Sequence, residues 1–67
     1  MDTMKLALRI RAFRKLKGLT QMELADRMNV SVSVLGALER GTRKADAKLI
    51  RLIAEVLSVK EEELLDR

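Results

Sequence analysis

Apolar residues recur along this chain at three- and four-residue steps, and each run stops at a glycine or a short polar connector. That spacing belongs to helices that bury one face. In the first run, Leu6, Ile10 and Phe13 share a side, while Lys5, Arg11, Arg14 and Lys15 fall mostly elsewhere on the wheel. The run predicts a helix over about 3–17, closed by Gly18 in the left-handed conformation with Leu19 as the apolar residue beyond it. The second run opens with Thr20 and, three residues on, Glu23, the spacing of a reciprocal cap. Leu24, Ala25 and Met28 then give an apolar face to a helix over 20–28, with Asn29 tolerating the left-handed turn after it.

The third run, "VSVSVLGALERG", is ambiguous on local grounds. Its first five residues alternate like a strand, but no second strand pattern exists for them to pair with. Ser31 is a good helix N-cap, Val34, Leu35 and Leu38 fit one helical face, and Arg40-Gly41 makes a basic last turn with a terminator. A helix over 31–40 is therefore expected, with Gly36 costing about 1 kcal/mol relative to alanine. After a polar connector, Asp46 caps a helix over 46–57 carrying Leu49, Ile50, Ile53, Ala54 and Leu57. Glu61, Glu62 and Glu63 favour the start of a short helix over 61–65, anchored by Leu64 and Leu65.

Composition agrees with an all-α chain: among 67 residues there is no proline, and Phe13 is the one aromatic. So short a chain makes one domain, 1–67, near the lower limit for a single hydrophobic core. Cysteine is absent, which excludes disulfides and thiolate metal sites. No apolar run could span a membrane and no signal-peptide pattern opens the chain, so a cytoplasmic setting is expected. Without His, Cys or Tyr there is no common base, nucleophilic thiolate or metal cluster. Neither an enzyme, a cofactor nor a small-molecule substrate is expected. The net charge of +4 is unevenly spread: residues 1–19 hold six basic groups and one acidic, residues 45–67 four basic and six acidic. A positive pole of that kind suits a polyanion.

Two helices separated by so short a turn suggest a helix-turn-helix. The run "LTQMELADRMNVSVSVLGALERG" resembles the phage-repressor/Cro-type (xenobiotic-response-element) helix-turn-helix domain of bacterial and phage transcription regulators. The likeness rests on Gly18, Leu19, Thr20-Gln21, Glu23-Leu24-Ala25, Met28, Val30-Ser31, Leu35, Leu38 and Glu39-Arg40-Gly41, and continues through "LIAEVLSV" and "EEELL". It implies a lambda-repressor-like fold of five short helices and binding to double-stranded DNA as a homodimer. A small residue, here Ala25, is expected where the two helices touch.

The resemblance also implies site residues. Gln21, at an anion-attracting helix start, is expected to meet a phosphate. Arg14 and Glu39 are expected to form a structural ion pair holding the end of the third helix. Arg40, Thr42, Arg43 and Lys44 match a loop that lies along the DNA backbone. Ser31 stands at the start of the recognition helix, and Val32, Ser33, Gly36 and Ala37 map to positions that face base edges. None of these four carries a long amide or guanidinium, so direct readout is expected to be weak.

Two other readings stand beside this one. The first segment could lie on a membrane surface, but Arg9 and Lys17 spoil the separation of its faces. Alternatively, the small apolar face of the third helix could meet another protein, for example a related regulator that it antagonises. For a dimer, Leu64, Leu65 and parts of the fourth helix are the candidate contacts.

Overall fold

The computed structural model describes residues 3–65; positions 1, 2, 66 and 67 of the expected 1–67 unit lie outside the described residues. Five helices follow in order: α1 (Thr3–Leu16), α2 (Gln21–Met28), α3 (Val32–Arg40), α4 (Ala47–Leu57) and α5 (Glu61–Leu65). The alternating "VSVSV" is thus the entry to α3, not a strand.

The starts of α2, α3 and α4 differ from the expected ranges by one residue, for one physical reason. Thr20, Ser31 and Asp46 keep extended backbone, and their side-chain oxygens accept the amide three residues on, at 3.1, 3.2 and 2.8 Å. They are caps outside the helices, satisfying donors that the first turn leaves unpaired. At Thr20 the box closes both ways, because the Thr20 amide donates to Glu23 Oε1 at 2.9 Å.

The ends of α1 to α4 share one device. Each is followed by a residue at positive φ: Gly18, Asn29, Gly41 and Ser58. The next amide then reaches back to a carbonyl of the last turn: Leu19 to Arg14, Val30 to Ala25, Thr42 to Ala37 and Val59 to Ala54. This is the Schellman arrangement, which satisfies carbonyls the helix end would otherwise orphan. Lys17, expected inside α1, is displaced into this turn. Ser58, at φ 57°, carries no glycine-like signal in the sequence.

Each helix sends at least one enclosed side chain to a common core: Ile10, Leu24, Leu35, Ile53 with Leu57, and Leu64. Branched aliphatic residues do the work of the missing aromatics, and Phe13 packs at the margin. α1 lies against α3, α4 and α5. Its apolar residues Leu6, Ala7 and Ile10 are buried in that packing, so the membrane-surface reading loses its face. Leu64 is likewise core and cannot serve as a dimer contact.

Candidate nucleic-acid interface

α2 and α3 pack against each other across the short Asn29–Ser31 turn, with Ala25 buried in their shared core. A larger side chain there would wedge the two helices apart. Leu35 and Leu38 turn the inner side of α3 into the same core.

Beside this apolar packing lies a buried charge network. Arg14 Nε donates to Glu39 Oε2 at 2.6 Å and Nη2 to Oε1 at 3.0 Å. The third guanidinium nitrogen, Nη1, donates to the Leu19 carbonyl at 2.8 Å. Gln21 Nε2 adds a bond to Glu39 Oε1 at 3.1 Å. One carboxylate on α3 therefore gathers α1 and α2, and Arg14 in turn holds the α1–α2 turn. Two-pronged pairing and a full set of partners are what a buried charge of this kind requires. No buried side-chain nitrogen or oxygen among the described residues lacks a partner.

Gln21 has a structural role that the sequence reading did not give it. Its amide nitrogen is already engaged inside the protein, so the side chain positions α2 against α3 before it meets any ligand. The capping box takes up the Thr20 and Glu23 amides. Among the described residues, nothing takes up the Gln21 and Met22 amides at the helix start. Those N–H groups point where a helix start attracts anions. Glu23 is held below the ordinary carboxylate range, first by the Thr20 backbone hydrogen bond, then by the Thr20 hydroxyl, with a smaller contribution from Arg27.

On the outer side of α3, Val32 and Ser33 are exposed and Ala37 is half-buried. Ser31 is committed to capping Val34. Gly36, expected to be an open face, is buried: the Arg40 side chain folds back along the helix and covers it. Beyond the Gly41 cap, Thr42, Arg43 and Lys44 are exposed in one loop. Thr42 also holds the helix end, donating its hydroxyl to the Ala37 carbonyl at 3.3 Å. The structure thus sets Gln21 against Glu39 at the end of α3, next to the 41–44 loop. Sequence reasoning missed the Gln21–Glu39 bond and the placement of Arg40 on Gly36. A glycine followed four residues later by an arginine was the available signal for the second.

A helix pair with this turn, and a second helix held by its inner face with its outer face free, defines a helix-turn-helix protein. The helix-turn-helix family model matches residues 10–64, and the chain belongs to that family. It is 52% identical over 56 residues to the uncharacterized HTH-type transcriptional regulator YazB of Bacillus subtilis (strain 168), covering 84% of this chain and 81% of that protein. Among solved structures, the clp gene regulator ClgR from C. glutamicum superposes with a TM-score of 0.93 at 30% identity, covering 98% of this chain and 86% of that one. The restriction-modification controller protein C.AhdI from Aeromonas hydrophila gives 0.90 at 35% identity, covering 94% and 96%.

Proposed function

We infer that this chain is a DNA-binding transcriptional regulator that places α3 in the major groove as one half of a homodimer. The observation carrying the reading is the one-sided construction of α3: its inner face is fixed by core and ion pair, and its outer face is flanked by the exposed Thr42-Arg43-Lys44 loop. An α-helix such as α3, about 10–12 Å across with its side chains, fits a groove about 12 Å wide. Family membership and the relatives' names as transcriptional regulators support DNA binding over the protein-interaction alternative.

In this reading Arg43 and Lys44 meet phosphates along one side of the groove. The Gln21 and Met22 backbone amides, with the second N–H of the Gln21 side-chain amide, meet a phosphate on the other. Two copies would set their recognition helices about 34 Å apart, one turn of the duplex. Fluorescence anisotropy with labelled duplex across a salt series tests this. Affinity should fall steeply with salt, and Arg43→Ala with Lys44→Ala together should reduce the logarithmic slope by about two. Absence of duplex binding at low salt would overturn the reading. No helix among the described residues is long and apolar enough to cross a membrane.

A further inference from the structure

Val32, Gly36 and Arg40 stand four residues apart on α3 and so form one row along it, with Ser33 and Ala37 beside them. Helical side chains lean back over the preceding turn. In Arg40 this lays the guanidinium on Gly36: a methyl group at Gly36 would stand 3.0 Å from Nη1 and 3.9 Å from Cζ. Glycine is otherwise a poor residue for a helix interior. Here its missing side chain leaves a notch, and the notch carries the end of Arg40 from the last turn of α3 to the middle of its outer row.

Arg14 and Arg40 differ in what remains available. The Arg14 guanidinium is saturated by Glu39 and Leu19. Among the described residues no carboxylate pairs with Arg40, and its residue is exposed. A planar fork of donors at the centre of a groove-facing helix, among side chains no larger than valine, has the geometry to reach a base edge.

We propose that Arg40 is the specificity-determining residue of this domain, laid by the Gly36 notch so that its guanidinium donates two hydrogen bonds to O6 and N7 of a guanine in each half-site. This rests on the DNA-binding reading and changes Arg40 from a phosphate contact to a base contact. Specificity then concentrates at one G·C pair, with Val32 adding contact to a thymine methyl. Lysine would keep the charge but lose the fork.

The test is selection of duplexes from random sequence by the wild-type chain, followed by affinities for single-base variants of the selected site. Wild type should disfavour replacement of one guanine per half-site by about ten- to a hundredfold. Arg40→Lys should abolish that preference, so that all single-base variants of the selected site bind with about equal affinity. Gly36→Ala should weaken the preference less than Arg40→Lys does, because the new methyl makes the guanidinium give way by a few tenths of an ångström. This variant is expected to fold, since Gly36 has no positive φ and the displaced atoms are the end of a flexible side chain. A guanine preference that survives Arg40→Lys, or that Gly36→Ala leaves unaltered, overturns the proposal, as does salt-dependent binding with no guanine preference in wild type. Failure to bind any duplex at low salt overturns the DNA-binding reading and this inference together.

Discussion

The two sides of α3 are built on opposite terms. Inward, Leu35 and Leu38 are enclosed and Glu39 accepts three hydrogen bonds from two other helices. Outward, the same nine residues present small side chains and one long arginine with no carboxylate partner among the described residues. The difference teaches how a small domain offers a rigid reading surface. Over-determining one face lets the other stay bare, because its orientation no longer depends on its own contacts.

The largest effect should come from cutting the inner clamp. Glu39→Ala leaves the Arg14 guanidinium buried with only the Leu19 carbonyl, and Gln21 without its acceptor. Breaking a buried pair in this way costs about 3–5 kcal/mol, a large share of the stability of so short a chain. Thermal denaturation should show a melting temperature lowered by many degrees. Replacing both partners, Arg14→Met with Glu39→Leu, should recover most of the loss, since an apolar pair no longer strands a charge. Melting of Glu39→Ala at the wild-type temperature would mean that packing alone holds α3.

How much of this was legible in the sequence follows the range of the physics. Thr20, Ser31, Asp46, Gly18 and Gly41 act through bonds to residues a few positions away, so their roles are written in local spacing. Ser58 acts in the same way, yet a serine gives no sign that its backbone is left-handed; Leu57 before it is core and Val59 after it packs against the core. The five-helix fold was legible from periodicity because each apolar stripe points to the one core. In the site, the Arg14–Glu39 pairing was visible only through family resemblance. The Gln21–Glu39 bond escaped even that, because it joins residues 18 positions apart through tertiary packing. Gly36 was read as an empty position because its meaning lies in another residue's rotamer.

A middle-sized effect distinguishes the end of α3 from the end of α1. Gly18 and Gly41 have nearly the same φ, 74° and 76°. A methyl at Gly18 would meet nothing within 4 Å, whereas one at Gly41 would stand 3.1 Å from Met4 Cε and 3.4 Å from Met4 Cα. Gly18→Ala should therefore cost only the left-handed penalty, about 1–2 kcal/mol. Gly41→Ala should cost more, by the displacement of the start of α1 from the α3 cap. Equal losses in urea denaturation would remove Met4 from the account of how α3 is seated.

On the outer face the sign reverses. Gly36→Ala removes a flexible residue from a helix interior and should stabilise the fold by about 0.5–1 kcal/mol. The same change makes the Arg40 guanidinium give way by a few tenths of an ångström, so stability should rise while DNA discrimination weakens. Destabilisation in urea would show that the backbone cannot accept the methyl, and that Gly36 belongs to the inner architecture after all.

The smallest effect concerns the start of α2, where inner and outer faces meet. Glu23 is fully exposed, but its carboxylate accepts the Thr20 amide, and its pKa is lowered chiefly by that bond. A carboxyl whose folded-state pKa lies below its unfolded value stabilises the fold above the unfolded value, about 4.3 for glutamate. That stabilisation is lost as the pH falls through the lowered folded-state value. Glu23→Gln can still accept the Thr20 amide through its side-chain oxygen but cannot titrate. Melting temperatures of the two proteins should therefore run parallel at neutral pH and converge or cross in acid, as the wild type loses a contribution the variant never had. Parallel curves through the whole acid range would mean that the cap holds the Thr20 amide equally well with a protonated carboxyl. The box would then fix the entry to α2 by geometry alone, with no electrostatic part in presenting the Gln21 and Met22 amides.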